Sequence, residues 1–254
     1  MDFHFTALAA MFLAVAVIAG PVCNVSYCQS AEERLQQARS AKQEKVEAYF
    51  NNAGLPYPPY QLFLRIFKKE KELEVWARGG KDEKFKLITT YPVCKSSGVL
   101  GPKRKQGDLQ VPEGFYYISG FNPQSRFHLS MRINYPNSSD KKLGDKTDPG
   151  GDIFIHGNCV TIGCVPIRNG PIEELYIMAL DVKTRKKTRT HVHIFPCRMD
   201  KRECRQELAR PASHDPALAK FWNSLKPGYL HFEKNRTLPR VNTGGDGHYR
   251  VSSD

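Results

Sequence analysis

No internal repeat is visible in the 254 residues, so the chain is not read as a repeat array. Strands and helices do not alternate regularly, which excludes a doubly wound nucleotide-binding fold. A phosphate-cradling glycine loop is also missing: GPKRKQGD (101–108) has two widely spaced glycines and no strand–helix setting. There is no helix-turn-helix or finger pattern, and no second apolar run long enough to span a bilayer after the first one. What is present is a globular composition, 40% hydrophobic, 25% charged and 11% aromatic, which excludes collagen, a mucin-like stalk and a fully disordered chain. The length suffices to bury a real core.

The first 28 residues contain no Lys or Arg, although the chain carries a net charge of +12. Within them FTALAAMFLAVAVIAG (5–20) has the length of a signal-peptide core and is short for a membrane span. Ser26 and Cys28 are small residues ahead of a cleavage that would leave Gln29 first. Residues 1–28 are therefore expected to be a signal peptide, with an uncleaved anchor as the alternative, and the protein is expected in the periplasm or cell envelope. The positive charge is scattered (Lys68, Lys69, Lys103 to Lys105, Lys141, Lys142, Lys183 to Arg189). In an exported protein it suits acidic wall polymers or a membrane surface, or is simply a solvated face. Nucleic acid is not an expected partner.

Residues 29–54 are expected to form an N-terminal helix: the Ala, Glu, Gln and Lys of 31–52 favour it and Gly54 stops it. Its apolar stripe is thin (Leu35, Ala38, Val46, Tyr49), so it should dock on the outside of the domain. Strands are expected at 60–67, 72–79, 83–91, 114–120, 126–133, 151–157 and 190–196, and helices at 171–184, 201–210 and 214–225. Trp76 is read as a sheet-packing residue. The polar, Gly-rich segment 236–254 is expected to be a flexible tail. The order predicts an α+β fold on a mainly antiparallel, sandwich-like sheet with peripheral helices.

The chemistry concentrates in DIFIHGNCVTIGCVPI (152–167). An apolar strand delivers His156 at its end, Gly157 permits a sharp exit, and a short loop reaches Cys164. A thiol attacks a carbonyl as thiolate and needs a base or positive neighbour. Gly163 lets the backbone approach a substrate, and its neighbourhood with the Cys164 amide offers donors to an oxyanion. On spacing alone three readings stay open: inert buried packing, which is commonest for cysteine; catalysis; and metal binding. For metal, His156, Cys159 and Cys164 form one cluster and His191, His193 and Cys197 another, but the spacing H-x2-C-x4-C is not a common zinc pattern.

This segment resembles the signature of L,D-transpeptidases with the YkuD-type catalytic domain: HG, a short gap, then [ST]-x-G-C. YPVCKSSGVLGPKRKQGDLQVPEGFYYI (91–118), RFHLSMRINYPNSSD (126–140), HVHIFPCRM (191–199) and FWNSLKPGY (221–229) resemble the YafK-like branch of that family. The resemblance spans roughly residues 55–235 and implies a catalytic domain there. It implies that Cys164 is the nucleophile and His156 the base. Gly157 is then the position whose neighbourhood supplies a backbone carbonyl to orient the imidazole. Gly163 and Cys164 make the oxyanion segment, and Thr161 supports the loop. It implies action on peptidoglycan stem peptides through a thioester, resolved by an amine or, in a hydrolase of the same fold, by water. A peptidoglycan-anchored protein is a further possible substrate, and no cofactor or metal is implied.

Two positions depart from the family pattern: Ile162 stands where many members have His, and Pro166 where many have Arg. Arg168, Lys103 and Arg132 are candidates to replace that arginine. PEGFYY (112–117) resembles the family's P-x-G-x-[FY] strand entry, with a turn before a core strand the stronger reading. His128, Asn134 and Tyr135 are candidates to line the cleft, with sheet packing the stronger expectation. Without residues 1–28 five cysteines remain, which fits one free thiol and an even structural set. Cys94, Cys159, Cys197 and Cys204 can pair in three ways or stay free. The family-like segments favour Cys94–Cys159, which would brace the active loop.

Overall fold

The computed structural model describes Met1 and residues 30–252, so the expected leader, with Cys23 and Cys28, lies outside the described residues apart from Met1. Helix α1 (Ala31–Asn52) begins at a reciprocal cap. Ser30 Oγ accepts from the Glu33 N–H at 3.1 Å, and Glu33 Oε2 accepts from the Ser30 N–H at 2.8 Å. It ends at Ala53, and Gly54 follows in the left-handed region at φ 61°. Only Ala38, Val46 and Phe50 of this helix are buried, so it lies on the outside of the domain as its thin stripe predicts.

Strands β1 (Gln61–Phe67), β2 (Glu72–Arg78), β3 (Lys86–Pro92), β4 (Gly114–Ser125) and β5 (His128–Ile133) follow. Next come α2 (Ser138–Leu143), β6 (Phe154–His156), β7 (Val165–Pro166) and α3 (Asn169–Asp181), which runs on as a π-helical turn, Val182–Lys186. The chain then forms β8 (His191–Phe195), α4 (Arg202–His214), α5 (Pro216–Asn235), β9 (Arg240–Thr243) and β10 (Tyr249–Ser252). Eight strands make one sheet in the order β3-β2-β1-β8-β4-β5-β6-β7, and β9 and β10 make a second. Among the described pairings only β1–β8 and β6–β7 are parallel, so the α+β, mainly antiparallel expectation holds.

Strand β1 explains why the sheet is covered on both sides. Its period-two alternation sends Leu62, Leu64 and Ile66 to one face and Phe63 and Phe67 to the other, and all are buried. The first face packs with Val192, Met131, Ile155 and Val165 against α3 and α1. The second meets α5, through Phe232 for Phe63 and Tyr229 for Phe67. Arg65 shares this second face. Its guanidinium reaches Glu233 at 2.6 Å and Glu74 at 3.3 Å, so a buried cation keeps its partners.

One expectation is corrected. Within the described part of the segment 236–254, expected to be a flexible tail, residues 240–252 fold back as the β9–β10 hairpin. The glycines of Gly244–Gly247 make its turn, and Tyr249, 6% exposed, packs against Phe115 and Phe221. Ser139 Oγ donates to the Gly247 carbonyl at 2.6 Å, and Asn137 Nδ2 donates to the Tyr249 hydroxyl at 2.8 Å. Composition alone suggested a tail, but apolar residues at alternate positions gave the segment a face to bury.

Candidate active site

Strands β6 and β7 pair in parallel, Ile155 with Val165 and His156 with Pro166. Extending that register by one step puts Cys164 beside Phe154. Because side chains alternate, Cys164 and His156 fall on the same face of the sheet, while Ile155 and Val165 point into the core. Both side chains line one cleft of about 250 Å³, together with Lys95, Phe127, Val160, Thr161 and Ile162. Cys164 is partly exposed and is the free cysteine among the described residues.

The imidazole is held from one side and covered from another. His156 Nδ1 is 2.6 Å from the Gly157 carbonyl, which fixes Nδ1 as the protonated nitrogen and leaves Nε2 with a free lone pair. The Phe127 ring lies 4.6 Å from the imidazole at an interplanar angle of 31°, and His156 is only 1% exposed. Burial therefore holds His156 below the ordinary imidazole value, against the opposing pull of the Gly157 carbonyl. Gly157 cannot carry a side chain, because a Cβ there would sit 2.6 Å from the Phe127 carbonyl oxygen and 2.8 Å from Asn169 Oδ1.

The thiol donates to the Asp152 carbonyl at 3.6 Å rather than to the imidazole. Burial pushes its pKa up, the Asp152 carboxylate adds to this, and the Phe154 N–H and Lys103 oppose it. At neutral pH both members of the pair are thus uncharged. Attack by this thiol on a carbonyl would therefore require that its proton be transferred first or in the same step.

The loop between them is tied at three places. Cys94 and Cys159 form a disulfide, Cα to Cα 5.8 Å, and the Cys94 N–H donates to the Pro166 carbonyl at 3.0 Å. Asn169 Oδ1 accepts from the Asn158 N–H at 2.7 Å. Thr161 Oγ1 donates to the Cys164 carbonyl at 2.8 Å and accepts from the Gly163 N–H at 3.1 Å. That last contact revises one expectation, since Thr161 already holds the Gly163 amide and the Cys164 amide becomes the candidate oxyanion donor. Gly163 sits at φ 136°, which no residue with a Cβ adopts easily.

The other candidates fall elsewhere. His128 Nε2 meets Glu173 Oε1 at 2.7 Å, and the Tyr135 hydroxyl donates to the Pro149 carbonyl at 2.7 Å, so both serve packing. Asn134 Oδ1 accepts from the Tyr117 N–H at 2.7 Å. Of the three proposed arginine substitutes, Lys103 is bound to Asp108 at 2.6 Å and Arg168 is exposed at the start of α3. Arg132 pairs with Asp152 at 3.3 Å and lies across from Phe154, on the same sheet face as Cys164. Cys197 is bonded to Cys204 and Cys159 to Cys94, so each postulated metal cluster has lost a thiol. Sequence reasoning missed Phe127, Asn169 and the Asp152 carbonyl. Only Asn169-Gly170, a turn pair beside a strand end, gave any signal.

The chain is similar to curated and solved proteins that include the following. One relative is YafK of Escherichia coli K12, a provisionally named L,D-transpeptidase, 36% identical over 194 residues that make up 75% of this chain and 74% of YafK. The helical cell shape determining protein Pgp2 of Campylobacter jejuni is 20% identical over 65% of this chain and 55% of its own, with a TM-score of 0.41. Bd1075 of Bdellovibrio bacteriovorus is 26% identical over 60% of this chain and 56% of its own, with a TM-score of 0.38. L,D-transpeptidase 1 of Mycobacterium tuberculosis is 11% identical over 53% of this chain and 62% of its own, with a TM-score of 0.30. Matched to the chain over residues 63–217 is the family model of the YkuD L,D-transpeptidase catalytic domain. That match takes in β6, β7 and the whole loop between His156 and Cys164, and the chain belongs to the YkuD-type L,D-transpeptidase family.

Proposed function

We propose that this protein is an exported acyl transferase that works on peptidoglycan stem peptides through a thioester on Cys164. The observation that carries this reading is one free thiol and one neutral, buried imidazole on the same sheet face, opening into one cleft. His156 Nε2 takes the thiol proton as Cys164 Sγ bonds to the carbonyl carbon of a stem-peptide residue. The Cys164 N–H faces the oxyanion that develops. The carbon–nitrogen bond to the terminal residue then breaks, and His156 returns the proton to the leaving amine. An acceptor amine attacks the thioester, gives its proton to His156, and displaces the sulfur. The thiol hydrogen bond to Asp152 has to be exchanged for one to His156 first, a small side-chain rotation of the kind substrate binding brings about.

Export rests on the apolar leader and on the two disulfides, which persist in an oxidising compartment. The cations Lys183, Arg185, Lys186, Lys187 and Arg189 form no ion pair with a carboxylate among the described residues and suit the acidic envelope. Purified protein incubated with disaccharide tetrapeptides is expected to release the terminal residue, form cross-linked products, and carry an acyl adduct on Cys164 by mass spectrometry. Cys164→Ala is expected to do none of these. Free tripeptides without cross-links would assign the hydrolase of the same fold, including one that detaches a peptidoglycan-linked protein. Turnover retained by Cys164→Ala would refute the thioester.

A further inference from the structure

A second cavity, of about 240 Å³, opens on the same sheet face as the nucleophile. It is lined by Tyr117, His191 and His193 from the sheet and by Asn134 just after β5, and closed by Val241 and Thr243 of β9. The ladders tie it to the active site. His191 pairs with Tyr117, and the Asn134 N–H donates to the Tyr117 carbonyl at 3.1 Å. Arg132 pairs with Phe154, so the same register continues from Asn134 to Asp152, whose carbonyl accepts from the Cys164 thiol. The row from His191 to Asp152 thus crosses three strand spacings, roughly 15 Å in all.

The lining has an unmet appetite for hydrogen bonds and no charge. His193 Nδ1 is buried without a partner, and neither imidazole makes a hydrogen bond among the described residues. Burial keeps His191 and His193 neutral, so each ring offers one donor and one acceptor. No Lys, Arg, Asp or Glu lines the cavity. Aromatic, amide, imidazole and hydroxyl groups without charge match a neutral, hydroxyl- and acetamido-bearing ring better than an anion or a cation. We propose that this cavity binds the amino-sugar residue that carries the stem peptide. The proposal rests on the stem-peptide reading of Cys164. A stem cleaved after its third residue separates its sugar from the reacting carbonyl by three residues, roughly 10 Å of extended chain, plus the lactyl arm that joins the stem to the sugar, which together are on the order of the 15 Å from cleft to cavity.

Two arms test it. The peptide-free N-acetylglucosamine–N-acetylmuramic acid disaccharide is titrated into the full protein, and the ring signals of His191 and His193 are followed by NMR. Saturable shifts of both are expected. In parallel, His191→Ala is expected to lower kcat/KM for the disaccharide tetrapeptide about tenfold and to leave the sugar-free tetrapeptide unchanged. No shifts with the disaccharide, shifts with zinc alone, or equal losses on both substrates would overturn the sugar site. Failure of either substrate to acylate Cys164 in the wild type refutes the enzymatic reading instead, and the titration still decides whether the sugar binds.

Discussion

Phe127 is one of the groups that bury His156. Its ring covers the imidazole while its own edge stays 38% exposed to the cleft, so it acts as a lid of one residue. Removing it admits water to the imidazolium and relieves the burial that holds His156 below 6.5. A lowered pKa means the base stays unprotonated further into acid, so wild-type kcat/KM should keep its plateau below that value. Phe127→Ala should move the acid limb up toward 6.5, costing more activity near pH 6 than near pH 8, and a pH–rate profile checks it. An unmoved limb would show that another group shields the ring. His156 and Cys164 stood out as candidates because both lie within one loop, but spacing alone left packing and metal binding open, and the family resemblance chose among the readings. Phe127 did not stand out, because it reaches His156 only through the β5–β6 pairing, and nothing in a lone Phe signals which ring it will cover.

Elements were legible where alternation was strong and long, as in β1, β2 and β5, and less so where pairing rather than pattern defines them. Strand β7 has only two residues and exists because β6 supplies a ladder. The parallel β1–β8 contact joins segments far apart in sequence that are both apolar, so neither carries a sign of its partner. Helix α2 hides in a run of Asn, Ser and Asp that reads as loop until Asn137 and Asp140 cap it reciprocally. The two disulfides separate bracing from mere closure. Cys94–Cys159 spans 65 residues and Cys197–Cys204 only 7. Chain entropy then assigns about 4 kcal/mol to the first and about 2 kcal/mol to the second. Cys94→Ser with Cys159→Ser should lower the urea midpoint more than Cys197→Ser with Cys204→Ser. It should also reduce kcat for stem peptides several-fold, since it frees the loop that carries Thr161 and Gly163. Equal turnover in the two double variants would remove the bracing role.

The whole molecule is a sheet closed on two sides by different means. One face is sealed by α1 and α3 around aliphatic residues, the other by α5 and the β9–β10 hairpin around aromatic ones. The cleft with Cys164 lies on the part of that second face that the hairpin leaves uncovered, and the cavity with His193 lies under the hairpin's edge, so the hairpin shapes this face of the sheet. Tyr249 measures how firmly the hairpin is held. Its ring centroid is 4.8 Å from Phe115 and 6.0 Å from Phe221, and its hydroxyl accepts from Asn137. Tyr249→Ala removes a large buried ring and leaves Asn137 without that acceptor, a loss of about 3–5 kcal/mol. A detachable tail would lose less than about 0.5 kcal/mol on the same change, the range of an exposed site. Urea unfolding distinguishes the two, because Trp222 lies in the Tyr249 cluster and Trp76 in the neighbouring one. Tryptophan fluorescence and far-ultraviolet circular dichroism should shift together to lower urea if the hairpin folds as part of the domain. Fluorescence moving alone would mark the hairpin and α5 as a separate unit.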